Sequence, residues 1–148
     1  MEFANPADDE IRAILSHPAT VAVVGCSDDP ARDSLRIAML LKRKGFRVIP
    51  VNPKLRPDAL MNALGEPCYP DLASIPESVE IVDVFRRSEE LPAVAEAAIA
   101  KGARVLWCQL GVVDLKAAER ARSAGMTVVM DRCPAIDMPR LGIPGPGR

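Results

Sequence analysis

Five short apolar segments, spaced along most of the chain, constrain the fold more than any other feature of the sequence. They are dense in valine and isoleucine, and polar residues do not alternate with apolar ones within them. Strands of this kind are expected where both faces of a sheet are covered, as in a parallel sheet. The predicted strands are residues 21–24, 47–51, 81–85, 105–108 and 127–130.

Helical patterns separate these strands. Residues 34–44 and 89–101 each carry a periodic apolar face and stop at a glycine, and Asp114 is the predicted N-cap of a further helix through Ser123. Alternating strands and helices with short connections indicate right-handed crossovers. The predicted fold class is α/β: a Rossmann-like, doubly wound, mainly parallel five-stranded sheet with helices on both faces.

We expect the chain to form one domain, because 148 residues suffice to bury a sizeable core. An N-terminal helix is predicted over 8–16, within a leading segment 1–19, and a short final helix over 134–141. The glycine- and proline-rich residues 142–148 are predicted to form a loose tail. The acidic N-terminus does not resemble a signal peptide, and no apolar run approaches the ~20 residues that span a bilayer, so a cytoplasmic location is expected.

The composition narrows the choice of partners. The net charge is -1, and the chain has three phenylalanines, one tyrosine and one tryptophan. A nucleic-acid or anionic-membrane surface requires clustered Lys and Arg, and base stacking requires aromatic side chains, so neither partner is expected. A small anionic ligand would be held locally, and a protein partner or a homo-oligomer stays open.

The four cysteines, Cys26, Cys68, Cys108 and Cys133, contain no C-x-x-C pair. We expect reduced thiols that pack as small buried hydrophobic groups. Cys26, Cys108 and Cys133 follow predicted strands, which would place them around one crevice. A metal or redox role is the alternative, although metal motifs normally show tighter local spacing.

The turn Gly25-Cys26-Ser27 joins the first strand to a helix and is a candidate anion site. Gly25 lets a ligand approach the backbone, and the N–H groups of the turn and the helix would point at an anion. The Ser27 hydroxyl, with Ser34 or Arg36 at the helix start, would add donors. Asp28 and Asp29 oppose a phosphate unless they face away, and strand–glycine–helix turns also occur for packing reasons.

The ends of the other strands supply further candidates. Val51-Asn52-Pro53 follows the second strand and opens a proline-rich segment over 52–76, which either lies at a ligand site or merely covers the sheet. Arg86 or Arg87 would pair with a phosphate, or with Glu89 and Glu90. Gln109 would offer an amide to a ligand, and Gly111 a close approach to the backbone.

Groups for catalysis are scarce in this sequence. The sole histidine, His17, ends the first helix, and no Ser-His-Asp set, paired-histidine metal site or P-loop lysine is present. A NAD site of the Rossmann type needs three glycines and an acidic residue after the second strand, where this chain has Asn52. We expect a binding protein rather than an enzyme.

Six segments, in order and spacing, resemble the small stand-alone CoA-binding proteins: VAVVGCS, GFRVIPVNP, CYPDLASIP, VDVFRRSEELP, GARVLWCQLGV and AGMTVVMDRCP. These proteins are similar to the CoA-binding domain of the succinyl-CoA synthetase alpha subunit, a Rossmann-like domain. The resemblance covers residues 20–141. It implies that CoA lies at the carboxyl edge of the sheet, and that the candidate ligand-binding residues are Gly25, Cys26, Ser27, Ser34, Arg36, Val51, Asn52, Pro53, Phe85, Arg86, Gln109 and Gly111.

The leading hypothesis is therefore non-catalytic binding of coenzyme A or a small acyl-CoA. A 3′-phosphate on CoA would repel a carboxylate after the second strand, so the missing acid agrees with this reading. The alternatives are an NAD(P)-linked oxidoreductase and a CoA-binding subunit of a separate acyl-CoA enzyme. A mixed disulfide between CoA and Cys26, Cys108 or Cys133 is a further hypothesis.

Overall fold

The computed structural model describes residues 3–147; Met1, Glu2 and Arg148, which belong to the predicted leading segment and tail, lie outside the described residues. All five predicted strands are present, with ends that differ from the prediction by at most one residue. They are β1 (Thr20–Val24), β2 (Arg47–Val51), β3 (Ile81–Val84), β4 (Val105–Cys108) and β5 (Thr127–Val129). The helices are α1 (Asp8–Ser16), α2 (Asp33–Arg43), α3 (Met61–Leu64), α4 (Leu91–Lys101), α5 (Leu115–Ser123) and α6 (Pro134–Arg140).

The strands form one sheet in the order β2-β1-β3-β4-β5, and every neighbouring pair is parallel. This is a doubly wound order in which the chain first adds β2 on one side of β1 and then adds the remaining strands on the other side. The predicted α/β fold class is confirmed. The topology places a switch point between β1 and β3, and ligands bind at the carboxyl side of such points.

Two apolar cores lie on opposite faces of the sheet. Along β3, Val82 packs into the core beneath α4 and α5, and Ile81 packs into the core beneath α1, α2, α3 and α6. Because successive strand residues point to opposite faces, both sets must be apolar. The absence of polar alternation in the sequence follows from this double cover.

Local sequence signals predicted some helix boundaries correctly and others only in part. Asp114 caps α5 as predicted, since its Oδ1 accepts a hydrogen bond from the Ala117 N–H at 2.9 Å. The predicted helix over 89–101 divides into a 3₁₀ turn (Ser88–Glu90) followed by α4. The short helix α3, inside the proline-rich segment, was not predicted. No helix within residues 3–147 has the length and apolar character needed to cross a membrane.

The prediction of a loose tail is wrong for residues 142–147. Ile143 is buried against the α2 side of the core, and the Gly147 N–H donates to the Lys44 carbonyl at 2.9 Å. The tail packs so closely on the α2–β2 turn that a Cβ at Gly45 would overlap the Gly147 backbone. A composition rich in glycine and proline indicated flexibility, but here glycine permits close backbone packing.

Candidate functional site

The predicted site residues converge at the carboxyl edge of the sheet, around the switch point between β1 and β3. Gly25, which follows β1, is locked between its neighbours: its N–H donates to the Val51 carbonyl at 2.8 Å, and the Phe85 N–H donates to the Val24 carbonyl at 2.8 Å. Gly25 has a φ of +88°. A Cβ there would lie 2.5 Å from the Phe85 carbonyl oxygen. Glycine is thus required at position 25 because the backbone at the end of β3 packs against it. This packing reason adds to the predicted close approach of a ligand.

The loop between β1 and α2 is organised by its own side chains. The Ser27 N–H donates to the Ser34 Oγ at 2.9 Å, and the Asp29 N–H donates to the Ser27 Oγ at 3.0 Å. The Asp29 carboxylate accepts a hydrogen bond from the Ala31 N–H at 2.9 Å, so it is paired with a backbone donor of the same loop. Ser27 and Ser34, predicted as ligand donors, hold the loop in shape.

The amino end of α2 keeps its anion-binding capacity. Within residues 3–147, no side chain caps this helix, whose N-cap residue is Arg32. The first N–H groups of a helix have no partner within the helix, and they carry a partial positive charge. Arg36 lies one turn further on, exposed, in an ion pair with Asp33. Uncapped backbone donors and one arginine therefore lie in the first turns of α2, which follows the Gly25 turn in the chain.

Asn52 ties the loop after β2 to the loop after β1. Its Nδ2 donates to the Cys26 carbonyl at 2.9 Å, while its Oδ1 accepts the Lys54 N–H at 2.9 Å. The Cys26 side chain, predicted to line the site, is fully buried, so Cys26 reaches the edge only through its backbone. Asn52 acts as a brace between loops, a role that sequence spacing did not indicate.

One groove at this edge, here called the Arg86 groove, has a volume of about 450 Å³ and lies on the α4 side. Arg86 keeps a quarter of its side chain exposed, and its Nε lies 3.8 Å from Glu90 Oε1. Arg87 is 78% exposed and donates from Nε to Glu90 Oε2 at 3.3 Å. Both arginines approach Glu90, and Arg86 is the one that lines the groove. Other lining residues include Val24, Val51, Pro53, Pro70, Leu72 and Val94.

A second groove, here called the Gln109 groove, has a volume of about 240 Å³ and lies on the α2 and α6 side. Gln109 is 5% exposed, and its Oε1 has no hydrogen-bond partner among the described residues. A buried amide oxygen without a donor is costly, which makes the Gln109 amide a candidate contact for a ligand in this groove. The groove is lined by Asp33, Arg36, Ile37, Phe85, Gln109, Leu110, Cys133, Ala135 and Ile136.

The loop after β4 is fixed by the side chains of Asp131 and Ser88, whose role in holding this loop the sequence did not indicate. The Gly111 N–H donates to Asp131 Oδ1 at 2.7 Å, and its carbonyl accepts from Ser88 Oγ at 3.1 Å. Asp131 has a φ of +60°, an uncommon conformation for a residue other than glycine. Its position two residues after the end of β5 was the available signal. Gly111, predicted to allow close approach, has open space at its Cβ position but no free N–H.

The cysteines behave as the prediction of small buried groups requires. All four are free and buried. Burial raises the pKa of the Cys26 thiol to about 12 and that of the Cys108 thiol to about 12. Within residues 3–147, no group of three or more His, Cys, Asp or Glu side chains is placed to hold a metal ion.

A buried carboxyl group lies below the site, in the middle of β3. Asp83 is 1% exposed, between Val23 of β1 and Trp107 of β4. Neither carboxyl oxygen has a hydrogen-bond partner among the described residues. Burial raises the pKa of Asp83 well above its ordinary value, because the buried site favours the neutral acid over the carboxylate. The sequence suggested no such role for Asp83.

Other surface grooves lie away from this edge. One of about 440 Å³ lies at the amino ends of the strands and includes Glu10, His17 and Arg104. Another, of about 710 Å³, runs along α5 beside Lys116. Both are larger than the Gln109 groove, but neither lies at the switch point of the sheet, where doubly wound folds bind ligands. His17 lines the groove at the amino ends of the strands and is therefore not at the carboxyl edge.

The fold defines a class of protein, a doubly wound α/β domain with a parallel sheet, and the grooves described above lie at its switch point, where folds of this class bind ligands. Comparison with known proteins narrows that class. Residues 19–139 match the family model described as a CoA binding domain. The chain therefore belongs to the CoA-binding-domain family, and the resemblance indicated by its sequence motifs is confirmed.

Three similar proteins illustrate the range of the family. Uncharacterized protein YneT of Bacillus subtilis (strain 168) is 40% identical over 129 residues, which cover 87% of this chain and 92% of YneT. The structure of a hypothetical protein from Pyrococcus horikoshii OT3 matches with a TM-score of 0.84 and 36% identity, covering 95% of this chain and 99% of that chain. The ADP-forming acetate–CoA ligase I of Archaeoglobus fulgidus is 33% identical over 82 residues, which cover 55% of this chain and 11% of the ligase.

Proposed function

We propose that this protein binds coenzyme A or a small acyl-CoA at the carboxyl edge of its sheet and catalyses no reaction there. One observation carries the proposal. In a chain of the CoA-binding-domain family, two grooves are lined by immediate neighbours of Gly25: Val24 and Arg86 line one, and Phe85 lines the other together with the unpartnered Gln109 amide. A phosphate-rich ligand with an amide-bearing arm matches that combination of groups.

The phosphates of CoA would lie at the amino end of α2. Its uncapped N–H groups supply donors without requiring side-chain movement, and the helix dipole favours negative charge at this position. Arg86, which contacts the Gly25 turn, and Arg36, which lines the Gln109 groove, would pair with phosphate oxygens. The bracing by Ser34 and Asn52 keeps the loop in place, which reduces the entropy lost on binding.

The alternative of an NAD(P)-linked oxidoreductase finds less support at the same edge. The residue after β2 is Asn52, and its amide is already bound to the Cys26 carbonyl and the Lys54 N–H. An adenosine ribose diol would need a carboxylate there. A CoA 3′-phosphate would be repelled by that carboxylate, so Asn52 suits CoA better.

Calorimetric titration with CoA, acetyl-CoA, NADH and NADPH separates these two functions. We expect saturable binding of CoA or acetyl-CoA with a stoichiometry of one site per chain, and no saturable heat with either dinucleotide. Binding of NADH that CoA cannot displace would contradict the proposal and favour the oxidoreductase.

The four cysteines are unpaired, and we propose a cytoplasmic location, where such thiols stay reduced.

The neighbouring arginines offer a matched pair of variants. Arg86→Gln is expected to weaken CoA binding by roughly 10- to 150-fold, because it removes a charge-assisted phosphate contact worth about 1.5–3 kcal/mol. Arg87→Gln removes the same charge from a side chain that is 78% exposed and does not line either groove, and it should change the affinity less than threefold. The measurement is the CoA dissociation constant of each variant at one fixed salt concentration. Equal losses would show that the effect is one of net charge alone.

A second candidate function is that of a CoA-binding subunit working with a separate acyl-CoA enzyme. It is favoured by the ligase of Archaeoglobus fulgidus, in which the matched segment is 11% of the chain, and by exposed apolar side chains near the edge. These side chains are Leu110, Val113, Leu115 and Ile136. Sedimentation of the purified protein with and without CoA tests for a homo-oligomer. A stoichiometric partner that gains acyl-CoA activity on mixing would support this second function.

A further inference from the structure

Of the four cysteines, Cys133 is placed differently from the rest. Cys133 lies directly before α6 and lines the Gln109 groove. Cys26 and Cys108 are completely covered, and Cys68 is buried within the proline-rich segment, with its Sγ 3.7 Å from the Asn52 carbonyl oxygen. None of these three lines either groove at the carboxyl edge. One thiol out of four is therefore in position to meet a molecule bound there.

The Gln109 amide gives this groove an independent link to a ligand. It is more than nine-tenths buried, and its Oε1 has no donor among the described residues. Rotation of the terminal amide would turn that oxygen toward an N–H group in the groove. The walls beside it are apolar, formed by Phe85, Leu110 and Ile136. An arm of amides and methylene groups that ends in sulfur suits these surroundings.

We propose that Cys133 is a site of thiol–disulfide exchange with CoA disulfide, whose reacting arm lies in the Gln109 groove. The inference rests on the proposed CoA-binding function and adds a redox-dependent modification of the same site. It assigns the mixed disulfide to one of the three cysteines that the sequence left open.

The exchange balances without a further oxidant. The Cys133 thiol loses its proton to solvent, and its Sγ attacks one sulfur of CoA disulfide. The bond between the two CoA sulfurs breaks as the bond between Cys133 and one CoA half forms. The other half leaves as a CoA thiolate and takes up a proton. Cys133 is oxidised and the departing half is reduced, and excess thiol reverses the step.

The other cysteines are poor competitors for this reaction. The thiolate is the attacking species, and burial raises the pKa of Cys26 and that of Cys108 to about 12. Burial also raises the pKa of Cys68. At neutral pH these thiols remain protonated, and they are also covered by neighbouring residues. Cys68 is the useful control, because it is buried like Cys133 but lines neither groove.

The test is intact mass spectrometry after incubation of the full chain with oxidised CoA. We expect one CoA adduct on the wild type and on Cys68→Ser, and none on Cys133→Ser. Glutathione disulfide, which lacks the nucleotide, should react at a rate at least roughly tenfold lower, because binding brings the CoA disulfide to the thiol. An adduct mapped to another cysteine, or equal rates with both disulfides, would overturn the assignment.

Titration of Cys133→Ser with reduced CoA separates the failure of this inference from failure of the proposed function. If the variant and the wild type bind CoA reversibly but no adduct forms on the wild type, the exchange is wrong and the binding function stands. If neither binds CoA and no adduct forms, the proposed function fails and this inference fails with it. Adduct formation that Gln109→Leu slows with CoA disulfide, but not with glutathione disulfide, would support the groove as the place of reaction.

Discussion

Gly25→Ala should lower the free energy of unfolding by about 2–5 kcal/mol. Roughly 1–2 kcal/mol comes from holding alanine in a left-handed conformation and roughly 1–3 kcal/mol from overpacking. The glycine has a φ of +88°, and a Cβ would lie 2.5 Å from the Phe85 carbonyl oxygen. Relief of that contact requires the loop after β1 to move away from the end of β3. Urea unfolding followed by circular dichroism measures the change.

Gly102→Ala is the matched control for this substitution. Gly102 ends α4 with a φ of +81°, but nothing lies within 4 Å of its Cβ position. It carries the backbone strain without the clash and lies away from the carboxyl edge. We expect a loss of about 1–2 kcal/mol and an unchanged affinity for CoA. Equal destabilisation by the two substitutions would contradict the tight contact between Gly25 and Phe85.

The effect of Gly25→Ala on binding should exceed its effect on stability. Moving the turn displaces its backbone relative to Arg86, whose Cδ would lie 3.3 Å from the new Cβ. Both the N–H groups and the guanidinium would then miss their phosphate positions. We expect CoA binding to become undetectable in the fraction of protein that remains folded.

Asp83→Asn should stabilise the protein at alkaline pH and flatten the dependence of its stability on pH. Asp83 is 1% exposed, has no partner for either oxygen among the described residues, and has a pKa that burial raises well above its ordinary value. Above the ordinary aspartate pKa, the unfolded chain releases this proton while the folded chain keeps it. The free energy of unfolding therefore falls as the pH rises from the ordinary pKa to the raised one.

An asparagine side chain at position 83 does not titrate in the folded or the unfolded state. The variant therefore does not lose the free energy of unfolding that the wild type loses as the pH rises. We expect Asp83→Asn to be more stable than the wild type by about 1–3 kcal/mol at pH 8, with a smaller difference at pH 4. Urea unfolding across that pH range checks the prediction. Asp9→Asn, which replaces an exposed carboxylate on α1, serves as the control and should leave the pH dependence of the wild type intact. A parallel shift of the Asp83→Asn curve at all pH values would contradict a neutral buried acid.

Much of the fold follows from patterns that a sequence displays directly. The five strands were predictable because a doubly covered strand must be apolar along its whole length, and α5 was predictable from the cap at Asp114. The tail was not, because its order depends on Gly45 and Gly147 meeting across the chain. A contact between residues distant in sequence leaves no local signal.

The candidate site was also predictable only in part. Its location followed from strand ends, so Arg86 and Gln109 were predicted at the edge without knowledge of the fold in detail. The structural roles of the individual residues were harder to predict. Asn52 braces two loops and Asp131 holds the Gly111 backbone, through hydrogen bonds that only the tertiary structure brings together. Sequence spacing identifies candidates at an edge, but it does not say which of them face a ligand.

The most direct test of the central claim is a titration of ¹⁵N-labelled protein with CoA, followed by backbone amide chemical shifts. Binding at the carboxyl edge predicts that the largest changes occur in the Gly25 turn, at the amino end of α2, and in the loops that contain Arg86 and Gly111. Saturating changes at the amino edge, around Glu10 and Arg104, would contradict the account, as would spectra that do not change at millimolar CoA.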